Sequence, residues 1–178
     1  MRRRVAAWLS AAFLAFAWSA PLLGQASRGA SEQAMVPFVG IGSWLSKDLL
    51  VPGVQRRSRY VAGLNFQVDV QRFRLATYGA LSRMTESCPD NCPPSGAFFG
   101  LALERPFLPA NAFVRPFVGG GLGAFDLGFT YVSPDLRAGF EVGGRSRIGL
   151  RAELRHQWLL GVSGPDPRML LVGVRIRS

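Results

Sequence analysis

The sequence predicts an all-β fold, an eight-stranded antiparallel up-and-down transmembrane β-barrel, on three observations. Eight stretches alternate apolar and polar residues with a period of two, as strands with two unlike faces require. The connections between them run long, short, long, short, long, short, long, which sends every long loop to one rim. After the N-terminal leader no segment is long and apolar enough for a spanning helix. That pattern excludes a helical membrane protein but not a barrel, whose lipid-facing residues occur only at every second position.

Taken in order, the first strand is expected over Met35 to Trp44, with Phe38, Gly40, Gly42 and Trp44 on one face and Val39 and Ile41 on the other. Residues 45–57 break the pattern with Pro52-Gly53 and charges, and read as a long loop. The second strand, Ser58 to Asp69, sets Tyr60, Ala62, Leu64, Phe66 and Val68 against Gly63, Asn65, Gln67 and Asp69. A short polar turn leads to the third, Phe73 to Arg83, where Phe73, Leu75 and Leu81 oppose Arg74, Ala76, Tyr78 and Ser82. The second long loop, residues 84–96, holds the only two cysteines, Cys88 and Cys92.

The fourth strand, Ala97 to Arg105, places Phe99, Leu101 and Leu103 opposite Gly100, Ala102 and Glu104. After the turn Pro106 to Asn111 comes a glycine-rich fifth strand, Phe113 to Phe125, whose glycines relieve crowding inside a small barrel and permit curvature. Residues 126–135, with Ser133-Pro134, read as a third loop. The clearest hairpin follows. Leu136, Ala138, Phe140 and Val142 oppose Arg137 and Glu141, and Gly143-Gly144-Arg145-Ser146 has a tight-turn composition. On its return strand Ile148, Leu150, Ala152, Leu154, His156 and Trp158 oppose Arg151, Glu153, Arg155 and Gln157. A fourth loop, residues 159–167, precedes the last strand, where Leu170, Val172, Val174 and Ile176 oppose Leu171, Gly173, Arg175 and Arg177.

Segments of roughly 9 to 12 residues suit a tilted spanning strand, and short turns on one rim with long loops on the other are the asymmetry of bacterial outer-membrane barrels. The alternative is a soluble periplasmic ligand-binding barrel, in which the apolar face would be hidden. Met1-Arg2-Arg3-Arg4 and the apolar run from Val5 to Ala17 read as a secretory signal, residues 1–26, cut after Ala26 and followed by a polar lead-in over residues 27–34. The barrel domain is expected over residues 35–178. The formal charge of +10 loses the three leader arginines and becomes +7. Arginines strewn singly through alternating strands make no nucleic-acid stripe, so the expected partner of this surplus is anionic lipid. An exported chain meets an oxidising compartment, which predicts a local Cys88–Cys92 disulfide.

Charged residues on the polar face fit a plugged lumen. Arg74, Glu104, Arg137, Glu141, Arg151, Glu153, Arg155 and Arg175 are the expected lumen charge network, because a narrow barrel must pair the charges it buries and the guanidinium fork binds a carboxylate bidentately. On the apolar face Tyr60 and Trp158 fall near the long-loop rim and Phe73 and Phe107 near the short-turn rim, the placement of interfacial aromatics.

Three motifs carry a resemblance: Arg115-Pro116-Phe117-Val118-Gly119-Gly120-Gly121-Leu122-Gly123, Leu150-Arg151-Ala152-Glu153-Leu154-Arg155-His156 and Leu171-Val172-Gly173-Val174-Arg175-Ile176-Arg177. Through them the chain resembles the small outer-membrane β-barrel proteins of the OmpA/OmpX-like superfamily from Met35 to Ser178. It departs from the family's pattern where Ser178 stands in place of an aromatic residue. The resemblance implies an outer-membrane barrel, and the residues predict a non-enzymatic monomer with no cofactor and no metal. Its role would be structural support or partner contact through loops 45–57 and 84–96. A small pore is one alternative. Some barrels of this kind modify lipids, and any such chemistry here would have to use His156, the only histidine, which lacks a serine two residues on.

Overall fold

A computed structural model of the chain describes residues 32–45, 57–84, 95–126, 130–160 and 166–178. The leader, Cys88 and Cys92, and most of the two loops singled out above lie outside the described residues.

Eight strands follow one another: β1 (Gln33–Leu45), β2 (Arg57–Val70), β3 (Phe73–Met84), β4 (Ser95–Pro106), β5 (Val114–Asp126), β6 (Thr130–Val142), β7 (Ile148–Gln157) and β8 (Asp166–Arg177). Each pairs antiparallel with the next, and β1 pairs with β8 from Ala34↔Arg177 to Leu45↔Asp166, so the sheet closes on itself. Closure leaves no strand edge unpaired. At about 3.3 Å per residue and a tilt near 40°, a 12-residue strand such as β8 rises roughly 30 Å, enough to cross a bilayer's hydrocarbon core.

The short turns have the chemistry their tightness needs. Val70 pairs with Phe73 across Gln71-Arg72, and Gln71 adopts φ +54° to make that reversal. Between β6 and β7, Gly143 and Gly144 both take positive φ, and the Ser146 N–H donates to the Gly143 carbonyl at 2.9 Å.

Several boundaries differ from the sequence reading: Leu45, Arg57, Met84, Ser95, Gly96, Asp166 and Pro167, all read as loop, belong to strands. β1 begins at Gln33, within the stretch assigned to the lead-in. More consequentially, β6 begins at Thr130, so residues 130–135 are strand and not loop. Ser133-Pro134 is a turn signal in isolation. Pro134 faces outward, pairs with Leu122 of β5, and lies one residue past the last β6–β7 pair, Asp135↔Gln157. Its carbonyl accepts from Trp158 N at 2.9 Å, so its missing N–H points to the same side and breaks no bond of the β5–β6 ladder.

Sidedness is the inverse of a soluble barrel's. Outward residues are large and apolar around the whole circumference: Ile41, Leu64, Leu81, Leu101, Leu122, Leu136, Leu154 and Val172 are all exposed. Inward residues on the same strands include buried arginines and glutamates.

Candidate functional site

Among the described residues the lumen gathers the buried charged side chains, and it is layered. The half next to the short turns is ionic. Arg74 of β3 makes a bidentate pair with Glu141 of β6, its Nη2 lying 3.0 Å from Oε2, while its Nε donates to Asp69 at 2.6 Å. Arg115 of β5 reaches the other oxygen of Asp69 at 2.6 Å and donates to the Leu108 carbonyl at 3.0 Å. Arg151 of β7 is the hub: its guanidinium contacts Glu104 at 2.7 Å, Glu141 at 2.9 Å and Glu153 at 2.7 Å, and sits 3.8 Å from the centroid of the Phe117 ring. Glu141 also accepts from Arg175 of β8 at 2.9 Å.

One level up, Arg155 binds Glu153 at 2.8 Å and Arg137 chelates Asp135 at 2.8 Å. Tyr78 joins the two halves of the lumen. Its hydroxyl donates to Asp135 at 2.6 Å, and its ring receives the Arg155 and Arg137 guanidinium groups at 4.2 and 4.6 Å. Space for that phenol is made by Gly100 and Gly123, where a Cβ would lie 2.6 and 2.8 Å from the Tyr78 oxygen. Above it the lumen turns apolar. Tyr78 meets Phe98 at 6.2 Å, Phe98 stacks on Phe125 at 5.5 Å, and Val61, Met169 and Leu159 join this cluster, while nearer the long-loop mouth buried Arg59 donates to Ser82 at 3.5 Å.

All eight residues expected in the lumen network point inward and are brought together. The network also holds residues the sequence reading left out. Asp135 was assigned to a loop, and Arg115 belongs to a strand read mainly for its glycines. The signal for both was parity: Asp135 shares it with Arg137 and Glu141, and Arg115 with Phe117 and Gly119. Asp69 was placed on the polar face, at the strand's end. Its role as a bridge between Arg74 and Arg115 depends on β5 lying across the lumen.

Every carboxylate of this lumen is met by at least one guanidinium, and the groups are almost wholly desolvated; Arg74 is 2% exposed and Glu104 0%. Ionic groups survive such burial only when paired and hydrogen-bonded. A void among the described residues, bounded by Val36, Phe38, Asn65, Arg151, Glu153, Leu171 and Gly173, holds about 10 Å³, the room of about one water molecule. The interior is therefore a plug. Replacing Tyr78 by Phe should cost about 1–3 kcal/mol, because Asp135 would stay buried with one donor fewer. A urea midpoint lowered at unchanged slope is the expected reading, and an unchanged midpoint would remove Tyr78 from the network.

Of the expected interfacial aromatics, Tyr60, Phe73 and Phe107 are exposed on the outer surface and Trp158 is half-buried. His156 also faces outward. Its ring packs edge-on to Trp158 at 4.4 Å between centroids, and its cross-strand neighbours are Leu136 and Arg168.

No protein-family model matches this chain, and no curated protein matches it. Solved structures do. Neisserial surface protein A superposes with a TM-score of 0.63 at 13% identity, over 83% of this chain and 99% of that one. The N-terminal β-barrel domain of Pseudomonas aeruginosa OprF gives 0.53 at 16% identity, over 82% and 99%. Yersinia pestis outer membrane protein Ail, in a phospholipid bilayer nanodisc, gives 0.50 at 12% identity, over 83% and 99%. The likeness is one of fold, the closed eight-stranded antiparallel β-barrel.

Proposed function

We propose that this chain is a non-enzymatic, monomeric barrel of the bacterial outer membrane, exported by a cleaved leader, that supports the envelope or presents its long loops to partners. The observation that carries the reading is the inverted sidedness: an apolar exterior on all eight strands around an ionic interior. Water would not tolerate so much exposed Leu, Val and Ile on one monomer, whereas hydrocarbon requires it. The non-enzymatic part of the reading rests on the sequence, where no serine stands two residues after His156. Loops on a rigid barrel are where partner contact would reside.

The test is cell fractionation with gels of boiled and unboiled samples. The protein is expected in the outer-membrane fraction with a heat-modifiable mobility; a soluble periplasmic protein with no shift would end this reading. The filled lumen adds a second expectation. Purified protein in planar bilayers should show no sustained unit currents, and stable openings would mean that the plug moves.

A further inference from the structure

The short-turn rim carries a second set of arginines, outside the lumen. Arg72 lies in the turn after β2, Arg105 near the end of β4, and Arg145 and Arg147 in the connection between β6 and β7; all four are exposed. Because Arg74 pairs with Glu104, the chain continues with Arg72 and Arg105 at neighbouring places on the rim. Arg147 is tied to the end of β8 by the Arg177 N–H, which donates to its carbonyl at 2.9 Å. The carboxylates of this rim are already engaged by other groups: Glu32 by Arg177, Asp69 by Arg74 and Arg115, and Glu104 and Glu141 by the inward arginines. The outward charge here is positive. At the opposite ends of the strands, Arg83 and Arg168 are interspersed with Asp126 and Asp166.

Aromatic rings accompany the four arginines. Phe73 and Phe107 are exposed at the ends of β3 and β4, and Phe113, at 71%, is the most exposed large apolar residue of this turn region. Basic groups and rings at one level match the boundary between phosphates and acyl chains, the rings entering hydrocarbon while guanidinium groups stay with the phosphates. A guanidinium also binds phosphate through two parallel N–H bonds.

We infer that the short-turn rim is a cationic collar that selects anionic phospholipids in the periplasmic leaflet. Arg72, Arg105, Arg145 and Arg147 contact the phosphates, and Phe73, Phe107 and Phe113 seat the collar at the acyl boundary. The inference rests on the outer-membrane reading above and adds to it the rim and the lipid chemistry. Each basic group near an anionic surface is worth about fivefold in association.

The test uses the chain refolded into phosphatidylcholine vesicles with spin-labelled phosphatidylglycerol or spin-labelled phosphatidylcholine. Electron spin resonance reads the lipid immobilised against the barrel. Phosphatidylglycerol should be preferred at least about twofold at low salt, and the preference should vanish near 1 M salt, where the Debye length is about 3 Å. Replacing the four arginines (R72Q, R105Q, R145Q, R147Q) should abolish the preference, lysine at the same positions should retain most of it, and R83Q with R168Q should leave it intact. A wild-type ratio of one, or equal loss from the two glutamine sets, would overturn the collar. Unboiled gels of the same samples separate the two readings. A heat-modifiable barrel without lipid preference removes the collar alone, and a wild type that never becomes heat-modifiable removes the outer-membrane reading with it.

Discussion

Glu141→Ala is expected to lower stability by about 3–5 kcal/mol, the penalty for breaking a buried ionic cluster from one side. Glu141 accepts from Arg74, Arg151 and Arg175, which come from three different strands, and is itself 1% exposed. Removing it leaves guanidinium groups buried together with less compensating charge. The ion-paired cluster around it already sets six guanidinium groups, of Arg74, Arg115, Arg137, Arg151, Arg155 and Arg175, against the five carboxylates of Asp69, Glu104, Asp135, Glu141 and Glu153. Glu141→Gln keeps nearly the same volume and should still lose most of that stability, since the charge and not the shape is what the arginines need. Urea unfolding of the vesicle-inserted barrel measures both. A loss below about 1 kcal/mol in each variant would mean that the cluster relaxes or hydrates, and that the lumen is less closed than its geometry.

The second large effect belongs to the outer face. Leu101→Arg should destabilise the barrel in a bilayer by about 2–4 kcal/mol, the cost of a charged side chain near the hydrocarbon midplane. Leu101 stands midway along β4, is 56% exposed, and pairs with Leu122 of β5, itself 58% exposed. In a water-soluble protein an exposed leucine replaced by arginine would shift stability by only about 0.5 kcal/mol. The same substitution therefore distinguishes the two solvents. Insertion and unfolding in vesicles of saturated and unsaturated lipid would measure it, and a neutral result would argue that β4 does not face hydrocarbon.

Much of this architecture is local and so could be read along the chain. A period of two is set by the backbone of each strand alone, which is why Leu150, Leu154 and Val172 separate cleanly from Arg151, Glu153 and Gly173 before any partner is known. The β6–β7 turn was legible for the same reason, because Gly143 and Gly144 supply the positive φ values that the reversal takes. Asp135 was not, since Ser133-Pro134 imitates a loop; only the pairing of Pro134 with Leu122 shows that the strand runs through it. The apolar upper half of the lumen was hidden as well. Phe98, Phe125 and Met169 are inward residues distant in sequence, and nothing in their own strands says that they meet.

By itself, then, the sequence determined eight two-faced strands, their order, the rim to which each connection belongs, and the pool of charges assigned to one face. It could not decide which carboxylate meets which guanidinium, because those distances are set by barrel closure and by the register of strands up to 67 positions apart, as between Arg74 and Glu141. Nor could it decide that the lumen would close. That outcome depends on Arg151 reaching three glutamates at once and on glycines leaving room for Tyr78, and both are properties of side chains converging across a narrow interior. Alternation is written along a strand, but the filling of a barrel is decided across it.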